Sequence, residues 1–187
     1  MIYTVLYCMD GSGPSLSDSM RAVRQVAVPP DARALSTLSH IDYEDAFLVE
    51  SGPAQRRTAE QCARATLEGA PVAVRTKLLT GWSVIGLRVH DGRADLSVLG
   101  WEIRHSSPEA VVLGADSRIG MPGELLFKCE RDALLFATFV QHDRIFARAL
   151  WTGVQPRHVR VVRSLLERVG SISDVVTPSD PADGPPT

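Results

Sequence analysis

The residue whose type and position best suit it for chemistry is a histidine on the apolar face of a predicted helix. On a helical wheel, residues 143–169 gather their apolar side chains along one stripe, and His158 lies at its centre. The stripe consists of Ala147, Trp151, Val154, His158, Val161, Val162, Leu165 and Val169. A buried imidazole must satisfy its ring nitrogens, so His158 is either a core residue with an internal partner or a polar anchor in an apolar ligand pocket. The first arrangement is the more common one.

The other reactive side chains do not form any known catalytic, metal-binding or phosphate-binding motif. Cys8, Cys62 and Cys129 are far apart and lack a CxxC pair, which predicts buried, reduced thiols rather than a disulfide framework or a zinc site. The remaining histidines form no i, i+4 pair, so no metal site is predicted. Ser117 lies outside any GxSxG elbow, and the stretch Asp10–Ser15 lacks the GxxxxGK[ST] of a phosphate-binding loop. No cofactor is implied.

The same predicted helix has a basic side. Arg157, Arg160, Arg163 and Arg168 lie opposite the apolar stripe and are interleaved with Glu167. Guanidinium groups can bind phosphate or an acidic surface, but mixed charges along the outside of a helix are typical of a solvated face. We therefore expect this side of the helix to contact water.

The elements that position His158 begin with a strand and two helices. Apolar residues alternate from Ile41 to Val49, which predicts a half-buried strand with Asp45 as an inward-facing exception. The sequence Thr58-Ala-Glu-Gln61 predicts a capping box and a helix to about Gly69. A second helix is predicted from Pro71 through Leu79, with Gly81 ending it.

Four short strand-like runs follow and lead into the long helix. They cover residues 99–104, 111–115, 125–130 and 133–141, and their short connections predict an antiparallel meander. Asp143 is the predicted N-cap of the last helix, and Pro156 lies inside it, where a kink is expected.

Length and composition are those of an ordinary globular domain. The chain has 187 residues, 44% of them apolar, and a formal net charge of −2, which gives nucleic acid no support as a partner. A basic leader and a run of about 20 apolar residues are both missing, so we expect no membrane insertion and a cytoplasmic location. Residues 1–38 are an N-terminal extension that the sequence does not place, and residues 171–187 have the composition of a disordered tail.

The order of elements resembles a known superfamily. The resemblance rests on Asp42–Phe47, Arg57–Gln61, Leu99–Ile103, Ala147–Trp151 and Pro156–His158. These stretches are similar to uncharacterised actinobacterial-type members of the START-like (SRPBCC) superfamily, which includes lipid-transfer and polyketide cyclase-like proteins. The resemblance implies an α+β, helix-grip fold over residues 39–170. In this fold a curved antiparallel sheet wraps around a long C-terminal helix, and two short helices follow the first strand.

The resemblance also implies a ligand site. In this superfamily, sheet and helix enclose an apolar cavity for lipids, polyketides or other small hydrophobic molecules. By position, the implied lining residues are Tyr43, Phe47, Trp101, Ile103, Phe127, Phe139, Trp151, Val154 and His158. Phe136 is an alternative to Phe139, because their strand is apolar on both faces.

Three functional hypotheses follow. The first is a non-enzymatic protein that binds a hydrophobic or amphipathic molecule between the sheet and the last helix. The second is a cyclase- or dehydrase-type enzyme on the same fold, with His158 as general base and Tyr43 or Asp45 assisting. The third is an interaction module whose pocket is filled by its own side chains. The sequence does not define the ligand or the oligomeric state.

Overall fold

The protein is an α+β domain built on one antiparallel sheet. The structure, a computed structural model, describes residues 23–50, 57–89 and 95–172, the last four by their backbone alone. The strands are β1 (Val23–Val26), β2 (Tyr43–Glu50), β3 (Ser97–Val98), β4 (Trp101–Ser106), β5 (Ala110–Ala115), β6 (Gly123–Cys129) and β7 (Ala133–Val140). The helices are α1 (Pro30–Arg33), α2 (Ala59–Leu67), α3 (Val72–Val84) and α4 (Ile145–Ile172).

The seven strands lie in the order β1-β2-β7-β6-β5-β4-β3. All neighbours pair antiparallel, and β3 to β7 form the meander that the short connections predict. The first long strand, β2, pairs with the last, β7, over eight residues, with Tyr43 opposite Val140 and Glu50 opposite Ala133. This pairing places β2, which comes before the meander in sequence, beside the last strand of the meander.

Helices α2, α3 and α4 cover one face of the sheet. Alternate residues of β2, including Phe47 and Val49, point toward the helices and join a core with Phe127, Phe136 and α4 residues. The predicted capping box is confirmed, since the Gln61 amide donates to Thr58 Oγ1 at 3.3 Å and the Thr58 amide donates to Gln61 Oε1 at 3.0 Å. It starts α2 so that its buried alanines face the sheet.

The opposite face is covered by the segment that the sequence did not place. β1 adds an edge strand to β2, and residues 28–41 cross the far side of the sheet over Ala46, Val112 and Phe139. The buried carboxylate of Glu124 holds this segment, because it accepts hydrogen bonds from the Ser36 hydroxyl and from the backbone and side chain of Thr37. Residues 23–38 are therefore part of the domain.

Two predicted helix boundaries differ from the structure. α3 continues through Gly81 to Val84, because the next residue, Trp82, packs edge-on against Trp101 at 5.3 Å between ring centroids. That contact outweighs the roughly 1 kcal/mol that an interior glycine costs a helix. α4 begins at Ile145 and continues through Pro156 to Ile172. The remaining residues of the predicted tail, together with residues 1–22, lie outside the described parts of the chain.

Candidate functional site

A group of polar side chains lies on the helix-facing side of the sheet, beneath the middle of α4. His158 Nε2 is 3.3 Å from Asp45 Oδ2 and 3.2 Å from Thr138 Oγ1. The Tyr43 hydroxyl donates to the same Asp45 oxygen at 2.7 Å. The side chain of Asp45 is 2% exposed and that of His158 is 16% exposed, so these contacts form largely out of water. We call Tyr43, Asp45, Thr138 and His158 the polar cluster.

The sheet pairing creates the polar cluster. Asp45 of β2 is directly opposite Thr138 of β7, and both side chains point toward α4. Tyr43 is two residues before Asp45 and therefore lies on the same face of β2. The expectation that Asp45 faces inward is confirmed, and the partner that His158 requires is this carboxylate together with a hydroxyl.

Burial and a hydrogen bond to Asp45 keep the tyrosine protonated. Burial, and then the hydrogen bond and charge of Asp45, raise the pKa of Tyr43 above its usual value, against a smaller lowering by the Gln155 side chain. Tyr43 therefore stays a protonated donor at neutral pH. A proton on His158 Nε2 lets both nearby oxygens, on Asp45 and Thr138, act as acceptors.

An aromatic ring packs against two members of the polar cluster. The Trp151 ring lies 4.9 Å from that of Tyr43, edge-on, and 5.3 Å from that of His158, measured between centroids. His142 is the next ring along, 6.4 Å from Trp151. The indole Nε1 atoms of Trp101 and Trp151 are buried, and neither has a hydrogen-bond partner among the described residues. These two buried N–H groups are therefore available to donate hydrogen bonds to a ligand or to water.

Two small cavities adjoin the polar cluster. The outer cavity, about 40 Å³, lies between α2, α3, α4 and the sheet, and Leu78, Phe136 and Val162 are among its lining residues. The inner cavity, also about 40 Å³, is lined by Trp101, Thr138 and Trp151 among others. His158 lines both cavities, together with Trp82 and Leu125.

A larger groove opens to the surface beside the outer cavity. It lies between α3 and α4, and its volume is about 280 Å³. Leu78, Val161 and Leu165 line both the groove and the outer cavity, so the two spaces are neighbours. The three spaces therefore form a series along α4, from the surface to the polar cluster.

The site residues implied by the resemblance divide between the two faces of the sheet. Eight lie on the helix-facing side, in two neighbouring clusters. They are Phe47, Trp101, Ile103 and Phe127 in one cluster, and Tyr43, Trp151 and Val154 with His158 beside the other. Phe139 instead packs on the opposite face against Ala32 and Leu126, because it is adjacent to the inward-facing Thr138. Phe136 is the phenylalanine of β7 that faces the helices.

Only three of these residues line the cavities. They are Trp101, Trp151 and His158. Phe47 and Phe127 are fully buried packing residues, and Phe127 contacts Phe136 edge-on at 5.0 Å. The cavity residues that the sequence did not indicate include Leu78, inside the predicted second helix, and Trp82, just beyond its predicted end at Gly81. Trp82 could have been predicted as an inward-facing residue if the helical pattern had been continued through Gly81.

The two cysteines within the described residues do not add a reactive centre. Cys62 and Cys129 are free and half-buried, and burial raises the pKa of the Cys62 thiol to about 11. A thiol with this pKa is a poor nucleophile at neutral pH. Cys8 and the glycine-containing stretch Asp10–Ser15 lie outside the described residues. In the part of the chain that the structure covers, no helix is both long and apolar enough for a membrane span.

Comparison with known proteins leaves the family of the chain open. No protein-family model and no curated protein matches it. Among solved structures, a protein of unknown function from Pseudomonas aeruginosa is 14% identical, with 85% of this chain and 93% of that chain covered and a TM-score of 0.24. A TM-score this low carries no argument about fold or function.

Proposed function

We propose that this chain binds a small amphipathic molecule whose apolar part lies between the sheet, α3 and α4. The observation that carries the proposal is the series of spaces along α4, which leads from the surface groove past Leu78 and Val161 to His158. Mostly apolar walls with a few convergent polar groups are typical of small-molecule sites. The polar cluster and the two unpartnered indole donors supply such groups.

The sizes of the spaces define how a ligand enters. Ligand pockets usually measure about 300–1,000 Å³, whereas cavities of about 40 Å³ hold only a few water molecules. A lipid-sized molecule therefore does not fit either small cavity alone. It occupies the groove and reaches further inward only when α3 shifts away from the sheet.

α3 is suited to such a shift. Leu78 is its one buried residue, while Val72 and Val84 at its ends are exposed. An element with so few buried apolar contacts separates from the core at low cost in free energy. Its inward residues, Leu78 and Trp82, are also those that line the cavities, so their displacement enlarges the space.

We also propose that the fold is of the helix-grip type. The pairing of β2 with β7, the two helices directly after β2, and the meander that ends in α4 support this proposal. A bulge between Ile103 and His105 of β4 adds local twist of the kind that curves a sheet. β1 and residues 28–41 are then additions at one edge and on the outer face.

The enzyme hypothesis places a stricter demand on His158. Its Nε2 atom is already within hydrogen-bond reach of Asp45 and Thr138, so proton transfer to a ligand has to use Nδ1. A carboxylate–imidazole pair can orient a base in this way. No substrate atom is defined by the site, and we therefore propose binding rather than catalysis.

Tryptophan fluorescence tests the proposal, because all three tryptophans of the chain line the inner cavity. We expect titration with decanol, a neutral single-chain amphiphile, to change the emission saturably. Val161→Phe fills the boundary between groove and outer cavity and should weaken binding about tenfold or more. The control is Val84→Phe, the same substitution at a more exposed valine away from the groove. An unchanged emission in the wild-type protein would refute the proposed function.

A further inference from the structure

The groove between α3 and α4 combines an apolar floor with a basic rim. The floor is formed by Val74, Leu78, Val161 and Leu165. The rim carries four cations and one hydroxyl, from Lys77, Arg157, Arg160, Arg168 and Ser164. Lys77 comes from α3 and the arginines come from α4, so the two helices together build the rim. The basic side of α4 is exposed, as expected, but part of it faces this groove.

The positive charge of the rim is not balanced locally. No aspartate or glutamate lines the groove. Among the described residues, none of the ion pairs involves Lys77, Arg157, Arg160 or Arg168. Arg160 Nε donates to the Pro156 carbonyl at 3.3 Å, which leaves its terminal nitrogens for other acceptors. The chain as a whole has a formal net charge of −2, so this accumulation is a local feature.

The arrangement separates polar and apolar parts of a ligand. Guanidinium groups bind carboxylate and phosphate oxygens through paired N–H donors, while aliphatic floors take up methylene groups. Because Leu78, Val161 and Leu165 also line the outer cavity, a chain on the floor is directed toward the inside of the protein. The rim is therefore at the solvent end of the proposed path.

We propose that Lys77, Arg157, Arg160 and Arg168 bind the anionic head group of a free, single-chain amphiphile, with a carboxylate or phosphate as the head. This inference rests on the proposed function, because the same molecule places its chain in the series of spaces along α4. Beyond the proposed function, the inference specifies that the ligand is anionic. It also specifies the orientation of the ligand, with the head group at the surface and the tail directed toward His158.

The test compares two ligands and two charge-matched variants. Decanoate and decanol have the same chain length and differ in head-group charge. Arg157→Gln/Arg160→Gln removes two rim cations, and Arg148→Gln/Arg163→Gln removes two arginines of the same helix that do not line the groove. We expect the rim variant to lose about tenfold in decanoate affinity at low salt and to keep its affinity for decanol. The control variant should bind both ligands as the wild-type protein does.

Each other outcome decides between the two proposals. If decanol binds but decanoate binds no better and is insensitive to the rim variant, the head-group inference is refuted while the proposed function stands. If decanol does not bind, the proposed function itself is refuted, whether or not decanoate binds. Co-sedimentation with phosphatidylglycerol vesicles through the same arginines, without binding of free decanoate, would assign the rim to a membrane surface and overturn the inference.

Discussion

At the scale of single residues, His158 and Asp45 each provide the hydrogen-bonding partner that the other requires when buried. A carboxylate that is 2% exposed needs donors, and an imidazole on an apolar helix face needs acceptors. β2 and α4 bring them within 3.3 Å, although they are far apart in sequence. The sequence indicated that His158 requires a partner and that Asp45 faces inward. It did not identify Thr138, because the pairing of β2 with β7 depends on long-range contacts.

The energetic coupling of this pair is testable. His158→Leu leaves Asp45 buried with Tyr43 as its remaining donor, and we expect a loss of ~1–3 kcal/mol in the free energy of unfolding. Asp45→Leu should cost a similar amount, and the double variant less than the sum of the two single changes. Urea denaturation of the four proteins measures the cycle. Additive losses would mean that the two side chains are not coupled.

His142 gives the protein a pH-dependent stability. Its side chain is 6% exposed, and burial lowers its pKa below the usual 6.5, with Arg148 and His40 adding to the effect and Asp42 opposing it. The unfolded chain therefore takes up a proton at higher pH than the folded chain does. Stability from this residue is fully present above about pH 6.5 and is lost as the pH falls below it.

The measurement is the urea midpoint at pH 7.5 and pH 5.5 for the wild-type protein and for His142→Asn. We expect the wild-type midpoint to fall on acidification and the variant's midpoint to fall by less. The backbone N–H of residue 142 keeps its 2.6 Å hydrogen bond to Asp42 in the variant, so the comparison isolates the ring. An equal fall in both proteins would show that other groups cause the acid sensitivity.

At the scale of elements, α3 and α4 contribute in opposite ways. α4 is fastened to the sheet by Ala147, Trp151, Val162 and Leu166, whereas α3 is held chiefly by Leu78 and Trp82. The sequence predicted α4 well because its apolar stripe is long and continuous. It predicted only the first part of α3, since Gly81 is a common end signal and the contact of Trp82 with Trp101 is not visible locally.

Hydrogen exchange tests whether α3 opens locally more easily than α4. We expect the backbone amides of α3 to exchange faster than those in the middle of α4, and decanoate to slow them. Gly81→Ala should also slow exchange in α3, because an added Cβ meets nothing within 4 Å and alanine favours a helix by roughly 0.5–1 kcal/mol. Gly153→Ala, equally unobstructed in α4, is the control and should leave α3 unchanged. Exchange in α3 as slow as in α4 would contradict its proposed movement.

At the scale of the whole molecule, the two faces of the sheet have different roles. The outer face is closed by residues 28–41 and the buried Glu124, whereas the helix-facing side contains the cavities and the polar cluster. The meander was predictable from turn residues and strand spacing. The edge strand β1 was not, since its central residues Arg24 and Gln25 are exposed and only its pairing with β2 orders it. Phe139 shows the same limit, because a strand buried on both sides hides which face a residue takes.

The basic groove is likewise a property of the whole molecule. The sequence shows the arginines of α4 but not that Lys77 of α3 lies with them around an apolar floor. This convergence of two helices distinguishes the proposed ligand-binding groove from a solvated helix face. The charge pattern along a single helix does not contain that information.

Native mass spectrometry of the intact protein with decanoate tests the central claim most directly, since it counts bound molecules without relying on a spectral change. The account predicts one decanoate per chain for the wild-type protein and for Val84→Phe, and a much weaker adduct for Val161→Phe. A mass that stays unshifted in the wild-type protein with decanoate and with decanol, or decanoate adducts of equal intensity in all three proteins, would contradict a single site between the sheet, α3 and α4.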